Sequence, residues 1–221
     1  MKQIIKKMIH SAGLDDAVGR LLFVARETMY DLKHGTKTSG NVRLQDLNIS
    51  SPNAAYGWYY EGIDPNIFAL IATDLNIDHE KFEFVDFGSG KGRVLFLASD
   101  YPFQKITGVE FSADLSEIAR ENIQRYRSAR HKCRQLEVVC MDAIQYRIPS
   151  GPVVLFFNNP FGQEVMAPML ENIQRSMAEA PREVYVIYAH PRHLGLLERN
   201  PAYRKLVGRE WYVIYQCVGE R

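Results

Sequence analysis

The apolar residues of this chain keep two periods. Leu14, Val18, Leu21, Leu22, Ala25 and Met29 recur at helical spacing, so residues 1–33 read as helix, broken near Ser11-Ala12-Gly13. Asp64-Pro65 opens a second helix to about Leu75, with Ile67, Phe68, Leu70, Ile71 and Leu75 on its buried side, because proline suits a first helical turn. From Phe82 the rhythm changes. Phe82–Asp86, Lys105–Glu110, Gln135–Cys140, Pro152–Phe157 and Glu183–Ala189 are short apolar runs of strand length. Helical stretches separate them: Arg93–Ser99, Ala113 to about Ser128, and Glu164 to about Ala178. Pro152–Phe157 is apolar almost throughout, as a central strand covered on both faces should be. Leu194–Arg199 reads as a short helical turn. Arg204–Gly208 and Trp211–Cys217 lie too close together for a helical crossover and predict an antiparallel hairpin. Strands alternating with helices make a parallel α/β sheet with right-handed crossovers.

One junction concentrates the chemistry. The first strand ends at Asp86, and Gly88, Gly90 and Gly92 follow at alternate positions before the next helix. Glycine adopts backbone angles other residues resist, and its missing side chain lets a ligand lie against the main chain. The amides that open the helix point into the turn. A nucleotide-like ligand at the carboxyl end of the first parallel strand is the expected tenant. The spacing is G-x-G-x-G, not the G-x-G-x-x-G of dinucleotide sites.

Composition narrows the picture. The 221 residues suit one domain with a substantial core, and the net charge of +1 gives no strong field towards nucleic acid or anionic membrane. Lys37, Arg43 and the basic residues from Arg125 to Arg134 can still form a local patch. No apolar run reaches membrane-spanning length and no signal peptide is read. Three scattered cysteines, Cys133, Cys140 and Cys217, form neither a disulfide framework nor a zinc set, which suits a reducing cytoplasm. His190 and His193 have no carboxylate or cysteine cluster beside them, so no metal is expected.

Asp86-Phe87-Gly88-Ser89-Gly90-Lys91-Gly92 resembles the first motif of the class I S-adenosylmethionine-dependent methyltransferases. The resemblance implies a Rossmann-like seven-stranded sheet of order 3-2-1-4-5-7-6, strand seven antiparallel, and S-adenosylmethionine as cofactor. An N-terminal helical and loop cap over residues 1–62 would precede the methyltransferase domain, residues 63–221. Gly88, Ser89, Gly90 and Gly92 would cradle the methionine part, and Asp86 would hold its amino-acid end. Glu110 closes the second strand about 20 residues past the glycine turn, where an acidic side chain meets ribose hydroxyls. Phe111 is placed to cover adenine or to serve the core. Asp142, between Met141 and Ala143, would accept from the adenine amino group, its neighbours lining the slot; an Asp there also caps turns.

After strand four comes Asn158-Asn159-Pro160-Phe161-Gly162, similar to the Asn/Asp-x-Pro-aromatic motif of amino-directed methyltransferases. The Asn158 side-chain oxygen and the Asn159 carbonyl can accept N–H bonds from an amine and aim its lone pair. Pro160 stiffens the turn, and Phe161 can face the nitrogen as it gains charge. With Gly108-Val109-Glu110 and Tyr60-Glu61-Gly62, these segments resemble the lysine methyltransferases related to the disruptor of telomeric silencing, over about residues 58–180. The chain departs from them at Pro160 and in the basic extension used on nucleosomes. The expected acceptor is therefore a protein lysine; a small-molecule or nucleobase amine is the alternative. A nicotinamide oxidoreductase and a non-catalytic cofactor-binding protein are the competing classes. Residues 31–60, with aromatics Tyr56, Trp58, Tyr59 and Tyr60, either cover the acceptor pocket or anchor a packed connection. Lys2, Lys6 and Lys7 read as a solvated face or a contact for an acidic partner.

Overall fold

The computed structural model describes residues 14–40, 42 and 62–219, with side chains from Val24 onward. The expected break near Gly13, the N-terminal lysines, Arg43 and the aromatics Tyr56–Tyr60 lie outside the described residues. The elements in order are α1 (Leu14–His34), α2 (Pro65–Leu75), β1 (Glu83–Phe87), α3 (Arg93–Ala98), β2 (Ile106–Glu110), α4 (Ala113–Arg125), β3 (Leu136–Cys140), β4 (Val153–Asn158), α5 (Gln163–Glu179), β5 (Val184–Ala189), α6 (Gly195–Glu198), β6 (Tyr203–Gly208) and β7 (Tyr212–Cys217). The strands form one sheet of order 3-2-1-4-5-7-6. β1–β5 run parallel, and β7 is antiparallel to both β5 and β6. That is the expected topology. Two boundaries differ in a way that matters: β1 extends through Phe87 and β4 through Asn158. Backbone pairing therefore continues right up to both turns.

The two-residue period of a strand divides the core into two layers. Val85, Phe87, Leu155 and Phe157 face α5, while Phe84, Val154 and Phe156 face α2 and α3. Phe87 and Phe157 stack with centroids 5.0 Å apart, which seats the ends of β1 and β4 side by side. Asp64 caps α2 by accepting from the Asn66 amide, with Pro65 following it, and left-handed Asn76 ends the helix.

The structure adds a buried ionic latch. Arg93, the first residue of α3, is 1% exposed and donates both terminal nitrogens to the Glu27 carboxylate at 2.9 Å. Its Nε donates to Thr38 Oγ1, its guanidinium lies 4.0 Å from the Tyr30 ring centroid, and Asp31 is 3.8 Å away. Asp31 in turn gathers the segment after α1. It accepts from the Thr36 and Thr38 hydroxyls and from the Thr38 and Ser39 amides. Burial alone would raise the Asp31 carboxyl, but these donors bring it down to about 2 from an ordinary 3.8. Its stabilising contribution is thus complete above the ordinary Asp range and is lost as pH falls from 3.8 towards 2. Lys91 completes the strap by donating Nζ to the carbonyls of Ser39 (2.7 Å) and Gly40 (3.1 Å). Asn122 on α4 joins in, accepting from the Lys37 amide and donating to the Lys91 carbonyl.

Removing one partner from a buried pair strands the others. Arg93→Ala should cost about 3–5 kcal/mol by denaturant unfolding. A loss below about 1 kcal/mol would mean that the latch does not hold α1 to the glycine turn.

Candidate active site

The site gathers at the carboxyl ends of β1–β4. Gly88, Gly90 and Gly92 all have positive φ (75°, 52° and 89°), so the turn needs the residue type it has. Gly88 has a second reason. A Cβ there would lie 2.5 Å from the Pro160 Cβ. The space expected for a ligand is, at this glycine, taken up by the turn after β4. The glycine turn and the Asn-Asn-Pro turn are in contact, which brings both halves of the expected site together. Gly108 on β2 plays a similar part, for a packing reason that its motif alone does not show. A Cβ there would meet Ser89 Oγ at 2.6 Å, so β2 must be bare for the turn to sit down on it.

Asp86 is 2% exposed, and its Oδ2 has no hydrogen-bond partner among the described residues; the same holds for the buried Ser89 Oγ. Complete burial, then the Glu110 carboxylate, pushes the Asp86 carboxyl well above the ordinary carboxylate range. Glu110 is also buried, and its carboxylate accepts from the Gly90 and Ser112 amides at 2.9 Å each. Burial raises it while those donors oppose the rise. Each carboxylate oxygen has two acceptor sites, so these bonds orient Glu110 and leave it chemically able to meet a pair of hydroxyls.

Phe111, Met141, Asp142 and Ala143 line a slot together with Gly88, Val109, Phe161 and Val165. All four expected adenine residues thus border one narrow space of about 10 Å³, room for about one water, so these side chains must part to admit an adenine ring. Asp142 also caps a short 3-10 turn, accepting from the Ile144 amide at 3.0 Å. Phe161, expected on the acceptor side, is 7% exposed and belongs to this slot. β4 and β5 pair in register up to Asn158 and Ala189. Asn158 Oδ1 meets His190 Nδ1 at 2.9 Å, and Tyr188 donates its hydroxyl to Asn159 Oδ1 at 3.2 Å. Asn159 has a left-handed φ of 44°, which asparagine tolerates better than most residues. Tyr188 and His190 carry no motif in the sequence; only the β4–β5 register shows that they face the asparagines. Among the described residues, no cluster of His, Cys, Asp and Glu is arranged to hold a metal. No helix among them is long and apolar enough to cross a membrane.

The arrangement fits S-adenosylmethionine on its own evidence. Two buried oxygen atoms with no hydrogen-bond partner among the described residues, Asp86 Oδ2 and Ser89 Oγ, sit at the glycine turn; an oriented carboxylate and a narrow apolar slot flank them. The fold and site define a class I methyltransferase with S-adenosylmethionine as its cofactor. Residues 45–180, more than half of the chain, match the family described as Histone methylation protein DOT1, and the chain belongs to that family.

No curated protein matches the chain. Solved structures do. A Methanococcus maripaludis protein assigned as an S-adenosyl-L-methionine-dependent methyltransferase is similar at 18% identity and TM-score 0.51, over 71% of this chain and 85% of that one. A Listeria monocytogenes protein assigned as an N6-adenine-specific DNA methylase is similar at 17% identity and TM-score 0.51, over 72% and 52%. A third, assigned as a methyltransferase and complexed with SAH, is similar at 18% identity and TM-score 0.49, over 72% and 53%. The chain therefore spans about half the length of two of these three.

A buried Asp86 whose carboxyl is raised by burial links cofactor binding to a proton. Below its raised pKa the carboxyl of the free protein is protonated; pairing with a cationic ligand lowers that pKa. Binding should then release a proton and tighten as pH rises, levelling off above the pKa of the free protein. Titration calorimetry in two buffers of different ionisation enthalpy measures this directly. Asp86→Asn should abolish the release and weaken S-adenosylmethionine binding about 10–100-fold. Wild-type binding with no proton release at any pH at which the protein stays folded would contradict the reading.

Proposed function

We propose that this protein transfers a methyl group from S-adenosylmethionine to the ε-amino group of a lysine on a protein substrate. One observation carries the reading. The amide-bearing turn Asn158-Asn159 is pressed against the glycine turn through Gly88 and Pro160. An amine held by the asparagines would therefore lie beside the cofactor cradle. Membership of the DOT1 family supports lysine as the amine.

Each residue has a stated task. Asp86 and Ser89 would hold the amino-acid end of the cofactor, Glu110 its ribose hydroxyls, and the slot of Phe111, Met141, Asp142, Ala143 and Phe161 its adenine. When bound, S-adenosylmethionine supplies an electrophilic methyl carbon on a positively charged sulfur. The Asn158 side-chain oxygen and the Asn159 carbonyl accept N–H bonds from the acceptor and leave its lone pair directed at that carbon. This is catalysis by positioning. A lysine must first lose its proton, and removal from water favours the neutral amine. A division into an N-terminal cap, residues 1–62, and a methyltransferase domain, residues 63–221, is part of the proposal. Cys133, Cys140 and Cys217 are all free thiols, which supports a cytoplasmic setting.

The test is transfer of labelled methyl from S-adenosylmethionine into fractionated extract of the source cell. Acid-stable label should enter a protein band and localise to lysine after digestion. Asn158→Ala should reduce the rate about a hundredfold while cofactor affinity stays within a few-fold. Label confined to nucleic acid or small molecules would overturn the lysine reading.

A further inference from the structure

We propose that His190 is a positioning residue for methyl transfer, acting through Asn158. The inference rests on the reading of Asn158 as the group that aims the acceptor. It extends that reading to a residue which no sequence motif marks.

The geometry is specific. β5 ends at Ala189, opposite Asn158 in the parallel register, so His190 is the first residue beyond the paired strand. Its φ is 46°, in the left-handed region, although it has a Cβ and precedes Pro191. A residue before proline is normally pushed to extended backbone. Such outliers persist only where neighbouring structure holds them, and they concentrate at functional sites. Neighbouring contacts hold this one. The His190 amide donates to the Trp211 carbonyl at 2.8 Å, the ring packs edge-on to Trp211 at 6.0 Å, and Nδ1 meets Asn158 Oδ1 at 2.9 Å.

The chemistry of that last contact fixes its direction. An amide oxygen only accepts, so Nδ1 carries the proton and donates. The bond locks which end of the Asn158 amide is oxygen and where it points. An amide oxygen has two lone pairs, so accepting from His190 still permits a bond from an acceptor amine. Tyr188 on β5, two residues earlier, donates to Asn159 Oδ1 in the same manner. The end of β5 thus orients both asparagines. Without the His190 ring, the Asn158 oxygen loses the donor that orients it, and the acceptor nitrogen loses alignment although the glycine turn is untouched.

Two readouts test this. The first needs no acceptor: nitrogen-15 NMR of histidine-labelled protein reports the imidazole tautomer. His190 should be Nδ1–H in the wild type and return in Asn158→Ala to the Nε2–H tautomer that free histidine favours. An Nε2–H ring in the wild type would overturn the proposal.

The second readout is labelled transfer to core histones, total RNA and spermidine as three separate probes. His190→Gly keeps the left-handed backbone and removes the ring; its kcat should fall at least tenfold with the KM for S-adenosylmethionine unchanged. His190→Asn keeps an N–H donor and tolerates positive φ, and should recover kcat to within about threefold of wild type. In the Asn158→Ala background, His190→Gly should cause no further loss, since residues that act as one unit are not additive. Full kcat in His190→Gly, or losses that simply multiply, would overturn the proposal. Label in RNA or spermidine alone would remove the lysine reading, and the same variants would still decide the role of His190. Where no probe takes label, the tautomer decides it.

Discussion

The contact between Gly88 and Pro160 is the constraint on which the site depends. The glycine turn after β1 and the Asn-Asn-Pro turn after β4 touch, and only glycine at position 88 permits it. The sheet makes the approach possible. β1 and β4 are neighbours, their ends are stacked through Phe87 and Phe157, and backbone pairing runs to the last residue before each turn. Methyl transfer needs donor and acceptor in line at short range. Here the necessary proximity is built into the backbone and does not wait on a flexible side chain.

Around that contact the polar groups are held by buried bonds. Glu110 is fixed by two backbone amides, one of them from the glycine turn itself. Lys91 and Arg93 bond to Glu27, Thr38, Ser39 and Gly40. The residues between the cradle glycines and at the start of α3 thus fasten the end of α1 and the following segment to the cofactor turn. A buried charge is costly without partners, which is why this cluster is so densely hydrogen-bonded.

Much of this was legible in the sequence because it is local. The glycine spacing, Glu110 at a strand end and the Asn-Asn-Pro turn are each contained within a few residues, and the resemblance supplied the strand order. What was not legible depends on register and distance. Gly108 looks like any strand residue until Ser89 is seen above it. His190 and Tyr188 become site residues only because β4 and β5 pair with Asn158 opposite Ala189. Arg93 reads as an ordinary helical residue, yet its partners stand 55 and 66 positions earlier. Phe161 had the right motif but an unforeseen neighbour set, because the packing of α5 turns it into the slot.

The central claim is that a single surface, formed where β1–β4 end, binds the cofactor and is tied to the segment after α1. Amide hydrogen exchange with and without S-adenosylhomocysteine measures it most directly. The account predicts slowed exchange at Gly88–Gly92, Glu110–Ser112 and Met141–Ala143, extending through the Lys91 and Arg93 bonds to Thr36–Gly40. Protection absent from the glycine turn, or produced there by a nicotinamide dinucleotide and not by S-adenosylhomocysteine, would contradict it.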